Sequence, residues 1–137
     1  MFSKIVITAL LVAFSSVAQA ANFVKPEELK EMLLHKKDVI IIDIQPAKEF
    51  EQHYIQGAVE TNAFPAKSSE EKAKLDKTLP VIKVSKAPVI IVCPRGKGGA
   101  KNSYEYLLSQ GIPEERLLIL EGGIAAWPFK EFVKQGR

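Results

Sequence analysis

Three short, unbroken apolar runs punctuate the chain, at Val39 to Ile42, Val89 to Val92 and Leu117 to Leu120. None alternates with polar residues, so each reads as a strand buried on both faces, as in a parallel sheet covered above and below by helices. The stretches between them carry helical spacing. Lys25-Pro26-Glu27-Glu28 opens a segment with Leu29, Met32 and Leu33 on one face, acids in its first turn and His35, Lys36 and Lys37 in its last. A second helix is expected over Ala47 to Tyr54, followed by a weaker extended segment at Gly57-Ala58-Val59. Ala66 to Thr78 is polar and helix-prone, with Ser68 and Ser69 as candidate caps and Pro80 as its close. Ala100 to Gln110 places Tyr104, Leu107 and Leu108 on one face and stops at Gly111. Glu121-Gly122-Gly123 forms a turn, Ile124 to Trp127 a short helix, and a terminal helix is expected from Phe129 onward. Strands alternating with helices over one core give an α/β layer fold.

The first twenty residues stand apart from this pattern. Lys4, the apolar run from Ile5 to Val17 and Ala18-Gln19-Ala20 have the order of an export signal with a small-residue cleavage site. The run is short of the roughly 20 residues that a spanning helix needs. The expectation is a signal peptide over 1–20, a single domain over 21–137, no membrane span after cleavage, and a periplasmic destination. Without the leader, Lys plus Arg falls from 19 to 18 against 16 Asp plus Glu. These charges are interspersed, which gives no reason to expect a nucleic-acid partner.

Cysteine usage sharpens the picture. The chain holds one cysteine, Cys93, so no internal disulfide can form in a compartment where small domains use such staples. Cys93 follows the second apolar run directly, where a strand gives way to a helix at the edge of an open sheet. Pro94, Arg95, Gly96, Lys97, Gly98 and Gly99 then lead into the helix that starts at Ala100. Glycines let successive backbone amides turn toward one point, and the positive end of the following helix faces the same point. With Arg95 and Lys97 beside it, such a loop favours thiolate over thiol, so a depressed thiol pKa and an anionic sulfur-bearing ligand are expected.

Three blocks carry a resemblance over nearly the whole of 21–137. They are Asp43-Ile44-Gln45-Pro46-Ala47-Lys48-Glu49-Phe50 running to Ile55-Gln56-Gly57-Ala58, then Cys93-Pro94-Arg95-Gly96-Lys97-Gly98-Gly99-Ala100, then Leu120-Glu121-Gly122-Gly123 with Trp127. In this order and spacing the chain resembles a single rhodanese-like domain. The resemblance implies a central five-stranded parallel sheet flanked by helices on both faces. It also implies a sulfurtransferase in which Cys93 becomes a persulfide, taking sulfur from a small anionic donor such as thiosulfate or polysulfide. The acceptor stays open, a protein among the candidates, as do the alternatives of a persulfide carrier without turnover and a binding module with weak catalysis. Cys93 is the catalytic residue implied, with Pro94 to Gly99 binding substrate. The chain departs from the family pattern at Gln45, usually arginine, at Tyr54, usually histidine, and at Gly98 and Gly99, where many members carry arginine and serine. A related phosphatase branch closes its loop with an oxyanion-clamping arginine, and the position six after Cys93 is Gly99 instead.

The remaining polar candidates read as structural. Asp43 at a strand end is a turn or cap acceptor, and Glu49 pairs or caps likewise. His35 suits a helix C-terminus, and His53 lies in a polar helix. Two histidines and one cysteine make no metal set, so neither metal nor cofactor is expected. Trp127 is expected in the core with its N–H on a backbone partner. The lysines from Lys67 to Lys77 alternate with acids as a solvated helix face.

Overall fold

The computed structural model describes residues 21–136, so the export signal expected over 1–20 lies outside the described residues. Its elements in chain order are β1 (Phe23–Val24), α1 (Pro26–Leu34), β2 (Ile40–Asp43), α2 (Ala47–Gln52), β3 (Tyr54–Ile55) and β4 (Val59–Glu60). They continue with α3 (Ser69–Ala73), α4 (Leu79–Lys83), β5 (Val89–Val92), α5 (Gly98–Ser109), β6 (Leu117–Leu120) and β7 (Val133–Lys134). The main sheet has five strands in the order β1-β6-β5-β2-β4, and every pairing in it is parallel.

The three apolar runs form its centre. Ile40 pairs with Val89 and Asp43 with Val92, while Val89 and Ile91 pair with Leu117 and Ile119. Alternate side chains then pack two cores. One face joins Ile42, Ile44, Val89, Ile91, Leu117 and Ile119 to Ile82 of α4 and to Ala100, Tyr104 and Leu107 of α5. The other joins Ile41, Ile90, Val92 and Leu120 to Leu29 of α1 and to Ile124 and Trp127. Helices therefore cover both faces, as the unbroken apolar runs require.

Five expectations need correction. The helix-prone stretch from Ala66 to Thr78 is broken into α3, a 3₁₀ turn at Asp76–Thr78, and α4. Pro80 does not close this region but stands in the first turn of α4, where its missing N–H costs nothing. The helix after Cys93 begins at Gly98, two residues early, with Lys97 as its N-cap. Among the described residues no terminal helix forms: one 3₁₀ turn at Lys130–Phe132 leads into β7, which pairs antiparallel with β3. That pairing also ends α2 at Gln52, because Tyr54 and Ile55 are taken into extended backbone opposite Lys134 and Val133. Tyr54 stacks on Phe50 with ring centroids 4.2 Å apart, so this departure from the family residue is absorbed in packing.

Candidate active site

β5 is buried along its whole length and delivers Cys93 to the C-terminal edge of the sheet, at its middle strand. Four residues, Pro94 to Lys97, then turn the chain back into α5. The turn is held from behind by the segment after β6. Ile124 N–H donates to the Cys93 carbonyl at 2.9 Å, and Ala125 N–H to that of Pro94 at 3.1 Å.

Two glycines make this contact possible. Gly96 has φ +73° and Gly123 φ +64°, conformations that L side chains avoid. A Cβ on Gly96 would lie 2.8 Å from the Gly122 nitrogen, and one on Gly123 would lie 2.3 Å from the Cys93 carbonyl oxygen. Held this way, the Gly96 N–H points at the thiol and donates to Sγ at 2.8 Å. Lys97 gives α5 no side-chain cap, and Gly98 and Gly99, at the positive end of this 12-residue helix, line the same pocket as the thiol.

Cys93 is only 1% exposed and forms the floor of an open pocket of about 320 Å³. Pro94, Arg95, Lys97, Gly98 and Gly99 line it, with Arg95 and Lys97 exposed at the rim. Gly96 does not line it: that residue acts through its amide and through its fit against the Gly122-Gly123 turn.

The facing wall was not legible in the sequence. Phe64, Pro65 and Lys67 supply it, together with Asn102 of α5, whose Nδ2 donates to the Pro65 carbonyl at 3.0 Å and ties the two walls together. Pro65 follows a cis peptide bond and Ala66 has φ +59°. No periodicity marks such a segment.

The two loop glycines that depart from the family pattern are not equivalent. The Cβ direction of Gly98 meets nothing within 4 Å. That of Gly99 lies 2.7 Å from the Phe64 ring and 3.3 Å from Ile44. Phe64 thus occupies the space that a side chain six residues after Cys93 would need, so an oxyanion-clamping arginine there would have to displace its ring.

Behind the loop, Asp43 is fully buried and accepts two hydrogen bonds from Gln45, from its backbone N–H at 2.8 Å and from Nε2 at 2.9 Å. It is a turn acceptor, as expected of its position. Gln45 Nε2 also donates to the His53 carbonyl at 3.1 Å, while Oε1 is buried without a partner. Burial pushes the Asp43 carboxyl up to about 7, against the two Gln45 hydrogen bonds that pull it down, and Glu60 and Glu49 add to the rise. His53 and Glu49 line another depression, which shares Pro94 and Arg95 with the Cys93 pocket but is not lined by Cys93 itself. His35 is exposed against Glu31 at 3.3 Å. Trp127 is buried with Nε1 donating to the Phe129 carbonyl at 3.1 Å, the backbone partner expected for it.

Solved structures with this architecture include a rhodanese-like domain protein from Staphylococcus aureus, 27% identical, with a TM-score of 0.64, covering 85% of this chain and 99% of that one. A yeast protein tyrosine phosphatase of the rhodanese family is 14% identical, with a TM-score of 0.65 and coverage of 85% and 94%. A thiosulfate sulfurtransferase from Pseudomonas aeruginosa is 20% identical, with a TM-score of 0.59, and this chain covers 21% of its length. The last two likenesses show the fold alone. No curated protein sequence matches the chain. The family model for the rhodanese-like domain matches residues 25–129, a span that runs from the cap of α1 past Trp127 and contains the whole of the Cys93 pocket. By that match the chain belongs to the rhodanese-like domain family.

Proposed function

We propose that the protein is a sulfurtransferase that carries sulfur as a persulfide on Cys93. The observation that carries this reading is the Gly96 N–H on Cys93 Sγ at 2.8 Å, in a pocket that ends at the positive terminus of α5. A donated N–H and a helix terminus stabilise negative charge on sulfur, whether on a thiolate or on the outer atom of a persulfide.

The Cys93 thiolate attacks the outer sulfur of a donor such as thiosulfate or polysulfide. The new bond joins Sγ to that sulfur, and the old sulfur–sulfur bond breaks with its electron pair leaving on sulfite or on the shortened chain. A nucleophilic acceptor then takes the outer sulfur and returns the electron pair to Sγ. Arg95 and Lys97 at the rim suit an anionic donor, and the nearly complete burial of Cys93 restricts attack to ligands that enter the pocket. Phosphate-ester hydrolysis is disfavoured because Gly99, hemmed by Phe64, supplies no clamping arginine.

Intact-mass measurement after incubation of the reduced protein with thiosulfate or polysulfide tests the reading. A gain of about 32 Da that requires Cys93 and is discharged by cyanide is expected. No gain from either donor would reject it in favour of a binding module, and a gain without multiple turnover would favour a carrier. We also propose that residues 1–20 export the protein to the periplasm, and fractionation of tagged full-length protein that finds an uncleaved cytoplasmic chain would overturn this.

A further inference from the structure

An open hollow of about 530 Å³, larger than the Cys93 pocket, shares no lining residue with that pocket. His53, Trp127, Lys130, Val133, Lys134 and Gln135 line it, so it is built from the end of α2, the segment after β6 and β7. Nothing in the persulfide chemistry uses these residues. Small-molecule sites typically measure about 300–1,000 Å³, and this hollow falls within that range. The composition of its wall selects among ligands. Trp127 is buried, its Nε1 is already committed to the Phe129 carbonyl at 3.1 Å, and its ring meets that of Phe129 edge-on at 5.2 Å. The indole therefore offers a ligand apolar and π surface but no donor. Half-buried Val133 extends that surface. The charged part of the wall has one sign: Lys130 and Lys134 are exposed there, and no aspartate or glutamate lines the hollow. Glu51 and Glu131, the acids nearest to it in sequence, lie outside the lining. Lys30 adds to the field from the neighbouring ring, with Nζ 4.8 Å over Phe129.

We propose that this hollow is a second binding site, for a small organic anion with a flat apolar body and a carboxylate head. The body lies against Trp127 and Val133, and the head takes the positive field of Lys130 and Lys134. His53 and Gln135 complete the polar wall. Both halves of the ligand are needed: an inorganic anion leaves the indole surface wet, and a neutral ring gains nothing from the lysines. The event is binding alone, with no bond made or broken, and it stands whether or not Cys93 carries sulfur.

The single tryptophan makes the test direct, because Trp127 gives the one indole N–H cross-peak in a nitrogen–proton correlation spectrum. Benzoate, benzyl alcohol and acetate are titrated in turn into isotope-labelled, reduced protein at constant ionic strength. Benzoate should move the indole peak along a saturating curve. Acetate, which lacks the body, and benzyl alcohol, which lacks the charge, should each bind about threefold more weakly or worse. Lys130→Gln with Lys134→Gln should weaken benzoate about three- to tenfold, the worth of two exposed ion pairs, and leave benzyl alcohol unmoved. Lys83→Gln with Lys86→Gln removes the same charge from exposed lysines outside the hollow and should leave benzoate binding unchanged. No saturation below about 10 mM benzoate, equal affinity for benzoate and either control ligand, or equal losses in the two double variants would overturn the inference. So would a benzoate titration that moves the Gly98 and Gly99 amides in place of the indole, since that would put the anion in the Cys93 pocket.

Discussion

Asp43 offers the most quantitative handle on this structure. Its carboxyl is fully buried, is met by an amide rather than by a cation, and is raised from 3.8 to about 7. In the unfolded chain it titrates near 3.9. Between these values the folded protein holds a proton that the unfolded chain has released, so stability falls as pH rises. The contribution is fully present below about pH 4, is lost as pH climbs through 7, and is flat above. At about 1.4 kcal/mol per pH unit, the displacement amounts to roughly 4 kcal/mol, a large share of the 5–15 kcal/mol by which domains are stable. Asp43→Asn removes the titration while keeping an oxygen for the Gln45 N–H. Its Nδ2 would face Gln45 Nε2, a mismatch that costs the same at every pH and so leaves the slope untouched. Urea unfolding followed by the single, buried Trp127, from pH 4 to pH 8 under reducing conditions, reads the effect. Relative to the variant, the wild type should lose several kcal/mol across that range. Profiles that run parallel within about 1 kcal/mol would refute the reasoning, because they would mean the buried carboxylate is ionised at little cost.

Other outcomes follow from the loop. Gly98→Arg points into open space and restores the cation common in the family, so it should leave the melting temperature nearly unchanged and lower the thiosulfate KM several-fold in a cyanide-coupled assay. Gly96→Ala places a Cβ 2.8 Å from the Gly122 nitrogen at φ +73°, and should destabilise by about 2 kcal/mol or more in urea unfolding while slowing persulfide formation. Gly99→Ser presses on Phe64 and should cost about 1–3 kcal/mol, a loss that Phe64→Leu in the same chain should partly relieve. Arg95→Ala with Lys97→Ala should raise the donor KM sharply with little change in melting temperature, since both side chains are exposed at the rim.

Much of the architecture was readable along the chain. Unbroken apolar runs marked β2, β5 and β6, and helical spacing marked α1 and α5, because burial on two faces or on one stripe leaves a local period. The glycines and the proline after Cys93 marked the loop that turns the chain into α5, because the requirements of a tight turn fall on consecutive residues. The tertiary structure decided everything that joins distant residues. Phe23–Val24, Tyr54–Ile55 and Val133–Lys134 are two-residue strands, too short for any period, and exist because a partner strand offers hydrogen bonds. Lys67 had every local mark of a solvated helix face, yet the chain before α3 sets it across from a loop nearly thirty residues away. Asp43 looked like an ordinary turn acceptor, and only the sheet packed around it, with Gln45 in place of a cation, raises its carboxyl. A single sequence displays the pattern of what must be buried, whereas the wall opposite a nucleophile and the solvation of a carboxylate are set by which surfaces meet, information spread across residues that share no local signal.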